Sequence, residues 1–508
     1  MSSEQEDLAA RAARHHVVVI GGGIGGLVAA RECAKLGIPV TLLEAETRPG
    51  GCIRPALLDS IVVDAGAESF ATRGGHVRAL VDELGLADAL VTPEGGGAWL
   101  SGIPDTPDAP LPRGGVLGIP ANPFQEDVRA IIGWRGVWRA YLDRLRPPLT
   151  IGHETSLGRL VSTRMGARVR DRLVAPVTAG VYSALPEDVD VDAAAPGLNA
   201  ALTRVGSLSG AVLALQGERA GAAPGAAVMG LDGGMGRLVD ALLAELRTYG
   251  VTVRTGARAV RLDRDGERWS VEIERPTDAD DGTTEIDAGR QADAGADLDA
   301  EPRAPEPEVL TATRVVIATP EPAAHALLAP HVPGLGEAGP APEIEIVTLL
   351  VDAPELDTAP RGSGVLTVPG SHTAKALTHS TAKWGWLRRA ADGAHIVRVS
   401  FGSQGEPAAT AALDDDAAAQ LALSEASALL GVRLPADGLR AAHRARFVQS
   451  QPSSQIGAAR RRAAARTAVQ RVPGLGVVGA WIAGTGLAQV VPDAVAEAGR
   501  LRRGMLWD

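Results

Sequence analysis

Apolar and polar positions follow two different periods near the start of the chain. Residues 16–20 form a short apolar run, which is typical of a parallel strand buried on both faces. A helical spacing of apolar residues follows over 27–34 and ends at Gly37, and residues 39–43 form a second apolar run. This order predicts a strand–helix–strand unit that opens an α/β domain.

The same two periods return later in the chain. After a glycine-rich turn at 233–236, the pattern predicts a helix over 238–246 and a strand over 251–254. Residues 314–319 predict another strand, and the chain closes over 476–502 with a strand, a glycine turn and a helix. Several distant segments therefore have the character of one α/β domain.

Composition narrows the class of protein. A chain of 508 residues is too long for one ordinary core, and 45% hydrophobic with 22% charged residues is a globular balance. The formal net charge of −11 argues against nucleic acid or an anionic membrane as a general partner, but it leaves local basic patches open. The basic run over 460–462 is interpreted as a solvated helix face.

Cysteine content and hydropathy bear on the compartment. Cys33 and Cys52 are the only cysteines, so we expect neither a disulfide framework nor a metal site. The polar, acidic N-terminus does not resemble a secretory signal. Residues 472–492 carry no charge, but their glycines and prolines favour a strand, a turn and a buried helix start over a membrane span. We expect a cytoplasmic protein, with at most peripheral contact at the inner face of the membrane.

The loop after the first strand carries the first chemical signal. A G-x-G-x-x-G pattern of dinucleotide-binding loops is formed by Gly21, Gly22, Gly23, Ile24, Gly25 and Gly26. Its glycines permit a tight turn, a close approach of backbone to a pyrophosphate, and packing of helix on strand, while the helix N-terminus offers free N–H groups to phosphates. Glu44 ends the second strand, where it can accept hydrogen bonds from ribose hydroxyls, and its charge disfavours NADP.

Two further segments favour FAD over NAD. Arg48 and Gly51 belong to an R-x-G-G element just after Glu44 and Ala45, and it resembles the element that follows the ribose carboxylate in the amine oxidase and protoporphyrinogen oxidase group. Residues 479–487 resemble the C-terminal flavin segment of that group. We expect a helix N-terminus near 490–493 to stabilise negative charge on the reduced flavin.

Segments in the middle of the chain make the resemblance specific. Residues 64–70 (DAGAESF) resemble the D-x-G-P-D-S-F segment of bacterial protoporphyrinogen and coproporphyrinogen oxidases. Residues 111–120 (LPRGGVLGIP), 173–182 (LVAPVTAGVY) and 375–384 (KALTHSTAKW) are similar to further motifs of that family, which ordinary amine oxidases lack. The departures are Cys52 in place of a common Lys or Arg, Phe447 in place of the usual Trp, an altered segment at 451–454 and a longer terminal glycine motif.

The resemblance implies an activity. Enzymes of this family use FAD to remove six electrons from a porphyrinogen and pass them to O2, which gives peroxide. The branch favoured here oxidises coproporphyrinogen III to coproporphyrin III in haem biosynthesis, with protoporphyrinogen IX as the alternative substrate and the ferrochelatase of the pathway as a partner. Hydride can leave to flavin N5 without a protein base, so no catalytic residue is assigned. More distant alternatives are a flavin amine oxidase, a carotenoid desaturase, or a non-catalytic FAD-binding redox scaffold.

The substrate's carboxylates call for cationic side chains at the pocket edge. Arg73 is the main candidate, and Lys375 and Lys383 are weaker ones. Tyr182 is expected either to line the pocket or to lie in the core. Trp384 and Trp386 are interpreted as packing residues. The resemblance further implies cofactor contacts at Gly66, Ala67, Glu68, Ser69, Val260, Phe447, Gly486, Val490 and Val491.

The predicted fold class is α/β, with a discontinuous Rossmann-like FAD-binding domain, a mixed α+β substrate domain and a helical subdomain. After a disordered tail 1–14, the FAD-binding domain is predicted to comprise three segments, 15–97, 226–321 and 441–508. Between them lie a helical substrate-pocket subdomain 98–225 and a substrate-binding domain 322–440. Residues 277–307 have few large apolar side chains and predict a disordered insertion within a hairpin.

Overall fold

The structure is a computed structural model that describes residues 3–94, 96–146, 154–219, 228–274, 308–339, 342–403, 405–448 and 454–507. The strands, in chain order, are β1 Val17–Ile20, β2 Val40–Leu43, β3 Pro55–Leu58, β4 Ile61–Asp64, β5 Phe70–Ala71, β6 Leu90–Val91, β7 Ala98–Ser101, β8 Ala109–Pro110, β9 Gly115–Val116, β10 Ile119–Pro120, β11 Val228–Leu231, β12 Thr252–Arg254, β13 Arg258–Asp265, β14 Arg268–Glu274, β15 Glu308–Ala312, β16 Arg314–Ile317, β17 Glu343–Val351, β18 Gly364–Thr367, β19 Ala376–His379, β20 His395–Phe401, β21 Leu439–Val448 and β22 Leu475–Val477. The helices are α1 Ser3–Ala12, α2 Ile24–Ala34, α3 His76–Glu83, α4 Glu126–Tyr141, α5 Leu157–Arg164, α6 Ala167–Val169, α7 Ala175–Tyr182, α8 Val191–Ala194, α9 Leu198–Val205, α10 Leu208–Arg219, α11 Gly236–Thr248, α12 Glu321–Leu328, α13 Ser380–Lys383, α14 Gly385–Ala391, α15 Asp415–Leu430, α16 Ala458–Gln470, α17 Ala480–Ala483 and α18 Leu487–Leu506.

A parallel sheet in the order β12-β2-β1-β16-β22 forms the centre of the dinucleotide-binding region. Its register pairs Val17 with Val40 on one side and with Arg314 on the other, and Val315 with Leu475. The apolar strands are buried because α2, α11 and α18 cover one face, while β14, α12 and α16 cover the other. The predicted strand–helix–strand opening and the later returns of the chain to this sheet are confirmed.

A second, mixed sheet has the strand order β21-β17-β20-β19-β18-β7-β8. Helix α15 packs on one face, where Val347 and Val399 are buried. Because side chains alternate along a strand, Thr348 and its partner Arg398 point to the opposite face. That opposite face meets the 64–70 segment, because Arg398 donates hydrogen bonds to Ala65 and Gly66 carbonyl oxygens.

Helices α4 to α10 enclose a separate apolar core that includes Ile131 and Leu202. Helix α7 lies so close to β18 that a Cβ added to Gly180 would come within 2.5 Å of Leu366 Cδ2. The glycine therefore permits the close contact, which brings Tyr182, the last residue of α7, to the mixed sheet.

The N-terminal segment differs from the expected disordered tail. Helix α1 docks on the C-terminal helix, where Arg11 donates a 3.2 Å hydrogen bond to the Leu506 carbonyl and His15 contacts the Met505 carbonyl at 2.9 Å. Ala12 is fully buried in this contact. Local sequence patterns could not predict the docking, because the partner surface lies almost the whole chain length away. The predicted insertion over 277–307 falls outside the described residues.

Within the described ranges, no single helix has both the length and the apolar composition to cross a bilayer. Residues Leu198–Val205 and Leu208–Gly217 reach that threshold only as a pair, and they meet at 115°. Their apolar side chains, such as Leu208 and Val212, belong to the core of the helical region. The uncharged stretch over 472–492 forms a strand, a turn and a helix start, as predicted.

Candidate active site

The glycine loop after β1 is held by contacts that only glycine allows. Gly21 has a φ of 108°, and a Cβ on Gly26 would lie 1.9 Å from the Gly21 carbonyl oxygen. A Cβ on Gly25 would lie 3.0 Å from Gly479, so the first turn of α2 is in close contact with the loop that follows β22. A Cβ on Gly23, by contrast, would meet no protein atom within 4 Å. The loop is thus closed toward the protein and open on one side, at the N-terminus of a helix that begins with Ile24.

Glu44 lies at the carboxyl end of β2, beside this loop. Its Oε2 accepts a 2.8 Å hydrogen bond from the Gly22 N–H, and its Oε1 accepts one of 2.9 Å from the Glu46 N–H. Each carboxylate oxygen keeps acceptor capacity for a further donor. Ala45, next to it, is half-buried. Glu44 is therefore held and oriented beside the glycine loop, and its contact with a ribose stays a prediction.

The R-x-G-G element runs along the open side of the loop. The Gly50 N–H donates a 2.8 Å hydrogen bond to the Gly22 carbonyl, and a Cβ on Gly51 would come within 3.2 Å of Gly23 Cα. Sequence reasoning placed this element near the cofactor, but only the structure shows that it touches the glycine loop. Arg48 is turned to the surface instead, where it pairs with Asp240 at 2.6 Å.

The 64–70 segment follows and packs under β21. A Cβ on Gly66 would lie 2.0 Å from the Cys52 carbonyl oxygen and 3.0 Å from Phe447, while the Ala67 N–H donates to that same carbonyl at 2.8 Å. Arg54 stacks over the Phe447 ring at 5.4 Å. Burial raises the pKa of Asp64, which accepts a hydrogen bond from the Met235 N–H, to about 6. Ser69 is half-buried at the end of the segment.

Glu68 is the centre of a buried ion cluster. Arg398 donates a 2.8 Å hydrogen bond to Oε2, and Lys383 pairs with Oε1. Burial alone would raise the pKa of Glu68, but the charges of Lys383 and Arg398 outweigh it and hold the pKa at about 2. The predicted substrate cation Lys383 is therefore neutralised by Glu68, and sequence reasoning missed Arg398 altogether. The one available signal was its position as the single charged residue in the buried run of β20.

The C-terminal segment corrects one prediction, the position at which its last helix begins. Helix α18 begins at Leu487 after Gly486, which has a φ of 96° and open space at its Cβ position. The N–H groups of Gln489 and Val490 already donate to the Gly486 carbonyl, so the helix N-terminus lies at 487–488 and not near 490–493 as predicted. The Val490 side chain instead packs on Gly25, at 3.3 Å from its Cβ position. Val491 is buried in the core between α2 and α18.

Three residues named from the sequence remain: Val260, a predicted cofactor contact, and the predicted packing residues Trp384 and Trp386. Val260 sits at an irregularity in the pairing of β13 with β14, and 43% of it is exposed. The residue just before β13 is hydrogen-bonded to the ribose-site candidate, because the Ala257 N–H donates to the Glu44 carbonyl at 2.8 Å. Trp384 and Trp386 are 2% and 9% exposed within an apolar core cluster, which agrees with their interpretation as packing residues.

Two of the predicted substrate contacts lie at the end of α7, because Tyr182 is its last residue and Lys375 bonds the residue that follows. Lys375 donates a 2.6 Å hydrogen bond to the Ser183 hydroxyl, and burial lowers the pKa of Lys375 to about 7. Burial raises the pKa of the neighbouring Tyr182, and the positive charge of Arg73 acts against that rise. Ser183, which sequence reasoning missed, takes up the left-handed conformation with a φ of 53°. We call Arg73, Tyr182, Ser183 and Lys375 the cationic cluster.

The geometry fits FAD. The carboxyl ends of β1, β2, β16 and β22 meet at one edge of the parallel sheet, where an extended dinucleotide binds in this type of fold. The Thr319 hydroxyl, just past β16, is buried without a hydrogen-bond partner, and its backbone lies 3.1 Å from the Cβ position of Gly21. The open space at the Cβ positions of Gly23 and Gly486 leaves the backbone of both residues accessible to a ligand. Among the described residues, no cluster of His, Cys, Asp or Glu could hold a metal.

Fold and site together define an FAD-dependent oxidoreductase. The chain belongs to the family of flavin-containing amine oxidoreductases, whose sequence signature matches residues 24–501. The coproporphyrinogen III oxidase of Mycobacterium bovis is 30% identical over 498 residues, which cover 95% of this chain and 95% of that protein. That of Propionibacterium freudenreichii is 27% identical over 94% of this chain and 89% of its own length. These relatives confirm the family resemblance found in the middle segments.

A solved structure supports the fold. The chain matches a protein from Exiguobacterium sp. 255-15, provisionally named a protoporphyrinogen oxidase, with a TM-score of 0.78 at 21% identity. The match covers 97% of this chain and 99% of that one. The Rossmann-like dinucleotide-binding architecture predicted from the glycine loop is therefore confirmed.

Proposed function

We propose that this chain oxidises coproporphyrinogen III to coproporphyrin III in haem biosynthesis. FAD supplies the two-electron acceptor when bound. Six electrons and six protons leave the porphyrinogen in three such steps, and three molecules of O2 take them up as three of H2O2. Nearly full-length relatives named coproporphyrinogen III oxidase support the substrate.

The observation that carries the proposal is the cationic cluster. Coproporphyrinogen has four carboxylates, and a pocket for it needs positive groups that are not already paired with protein acids. Lys375 bonds a hydroxyl, not a carboxylate, and Arg73 is exposed, with its charge acting on Tyr182. Arg73 can engage a carboxylate in a bidentate manner, with Lys375 as a second point charge. Lys383 is excluded from this role because Glu68 neutralises it.

The cofactor would be held by the groups described above. N–H groups at the start of α2 would bind the pyrophosphate, Glu44 the ribose, and the 64–70 segment with Phe447 would lie along the flavin. The first turn of α18, at Leu487, would face negative charge on the reduced ring. The residues of this chain would thus bind and orient FAD and shield it from water. No side chain is assigned as a base.

The direct test is anaerobic mixing of the FAD-loaded protein with coproporphyrinogen III or protoporphyrinogen IX, followed by admission of O2. We expect faster bleaching of the flavin absorbance with coproporphyrinogen III, and peroxide once O2 is present. Faster bleaching with protoporphyrinogen IX would assign the alternative substrate. Bleaching by amines alone would overturn the proposal.

Arg73→Ala separates substrate binding from cofactor binding. The variant should raise KM for coproporphyrinogen about tenfold, the value of one lost charge-assisted contact, while the ratio of FAD to protein stays unchanged. Arg78→Ala, on the exposed face of α3, is the control and should leave both quantities as in the wild type. Unaltered kinetics in Arg73→Ala would remove this residue from the site.

We further propose that the ferrochelatase of the pathway accepts the product, and that the protein makes peripheral contact with a membrane. A co-sedimentation assay with purified ferrochelatase tests the first point. Absence of a complex at micromolar concentrations of both proteins would contradict it.

A further inference from the structure

A cavity of about 140 Å³ lies between helices α12, α16 and α17 and the segment 334–339 that follows α12. Its buried wall consists of apolar and aromatic side chains, namely Leu335, Ala458, Ala465 and Trp481. The residues that line it are distinct from those assigned above to FAD and to the porphyrinogen. We call it the α12–α16 cavity.

Two arginines of α16 line this cavity. Arg461 is exposed and Arg462 is half-buried, so the basic run over 460–462 is a solvated helix face only in part. Burial lowers the pKa of Arg462, the charge of Arg461 lowers it further, and the charge of Glu321 acts against both. Two cations therefore share one half-buried carboxylate, while the other acid of the lining, Glu337, is exposed and screened by water.

The groups of the cavity that still need a partner are hydrogen-bond donors. Glu321 Oε1 already accepts a 3.0 Å hydrogen bond from the Gly339 N–H and lies 3.8 Å from His325 Nε2. Trp481 is 4% exposed, and its Nε1–H has no hydrogen-bond partner among the described residues. Within the same ranges, Arg461 forms no ion pair with a carboxylate. A buried indole N–H beside an unpaired guanidinium favours a ligand that supplies acceptor oxygens.

The size of the cavity limits the rest of the ligand. An apolar cavity of roughly 150 Å³ holds one benzene molecule, so a single ring fits here. We propose that the α12–α16 cavity binds a small aromatic carboxylate, whose oxygens accept hydrogen bonds from Trp481 Nε1–H and Arg461. Its ring packs on Leu335 and Ala465. A cationic ligand fits less well, because it would face the two guanidinium groups.

Titration calorimetry of the FAD-loaded full chain tests the proposal, with benzoate as the probe and benzamide as its neutral counterpart. Benzoate should bind about fivefold more tightly than benzamide, because the charge of Arg461 acts on the carboxylate in a partly solvated place. Trp481→Phe keeps an aromatic ring but removes the donor, and it should weaken benzoate binding about tenfold. Arg461→Ala should weaken it about fivefold and reduce the preference for benzoate over benzamide.

The matched control is Arg460→Ala, which removes an exposed arginine of the same helix that lies outside the lining and should bind benzoate as the wild type does. Circular dichroism and the ratio of FAD to protein should be unchanged in all three variants. The proposal is overturned if the wild type does not bind benzoate at millimolar concentrations, if both cavity variants bind it unchanged, or if Arg460→Ala loses as much as Arg461→Ala. Weaker binding in Arg73→Ala with unchanged binding in the cavity variants would place benzoate in the porphyrinogen site and also overturn it. These measurements read binding and not turnover, so their outcome is separate from that of the proposed function.

Discussion

Arg398, in the middle of β20, donates a 2.8 Å hydrogen bond to Glu68. Lys383 pairs with the other oxygen of the same carboxylate, and Arg398 also donates to the carbonyls of Ala65 and Gly66. The hydrogen bonds of Arg398 therefore link the 64–70 segment to the mixed sheet. Because that segment also touches Phe447 and Cys52, the cluster fixes the surface on which the flavin is proposed to lie.

Glu68→Gln should lower the free energy of unfolding by about 3–5 kcal/mol, because it leaves the buried Arg398 and the half-buried Lys383 without a compensating carboxylate. The urea midpoint, read by circular dichroism, measures this loss. Adding Lys383→Met to Glu68→Gln should recover some of it, since one of the two charges is then gone. A wild-type midpoint for Glu68→Gln would show that the cluster adds little to stability.

The same carboxylate predicts a dependence on pH. The pKa of Glu68 falls from 4.5 to about 2 on folding, so its stabilisation is fully present above about pH 4.5 and is lost as pH falls toward 2. The difference in unfolding free energy between wild type and Glu68→Gln should therefore be larger at pH 6 than at pH 3. A difference that stays constant between these two pH values would contradict the low pKa.

Sequence reasoning reached some features of this site and not others, for a physical reason. Glu44 and the glycine loop were predictable because backbone geometry within one strand–helix–strand unit dictates them. Arg398 and Ser183 were not, because their roles depend on which strands and helices meet across the fold. The disordered tail and the placement of the α18 N-terminus failed for related reasons: docking on a distant helix in one case, and capping at Gly486 in the other.

Gly23→Ala distinguishes cofactor binding from folding. A Cβ at this position meets no protein atom within 4 Å, so the variant should fold with a midpoint close to that of the wild type. If the open side of the loop receives the pyrophosphate, the added methyl group should reduce FAD retention at least tenfold. Gly217→Ala on α10, where a Cβ also meets nothing, is the matched control and should keep its FAD. The bound-flavin ratio after gel filtration decides, and full retention in Gly23→Ala would contradict the placement.

Lys375 predicts how substrate capture varies with pH. Because burial lowers its pKa to about 7, the amine loses its positive charge as pH rises through that value. The ratio kcat/KM for coproporphyrinogen, which reports the free enzyme, should therefore fall above pH 7. Lys375→Met should be low and flat over the same range, while Lys35→Met at the end of α2, far from the site, should follow the wild type. A wild-type profile in Lys375→Met would show that the lysine does not meet substrate.

The positions of the ends of β14 and β15 predict that a variant without residues 278–306 still folds. Ile273 pairs with Glu308 in an antiparallel register, so the described strand ends are already neighbours and a short turn can join them. The deletion shortens the connection roughly eightfold, which should stabilise the fold by up to about 2 kcal/mol and leave turnover and the FAD ratio largely intact. A Gly-Ser segment of the original length in the same place is the control, and it should retain activity without the gain in stability. An insoluble or inactive deletion variant beside an active Gly-Ser variant would show that the length is needed, and failure of both would show that the residues themselves take part in the fold.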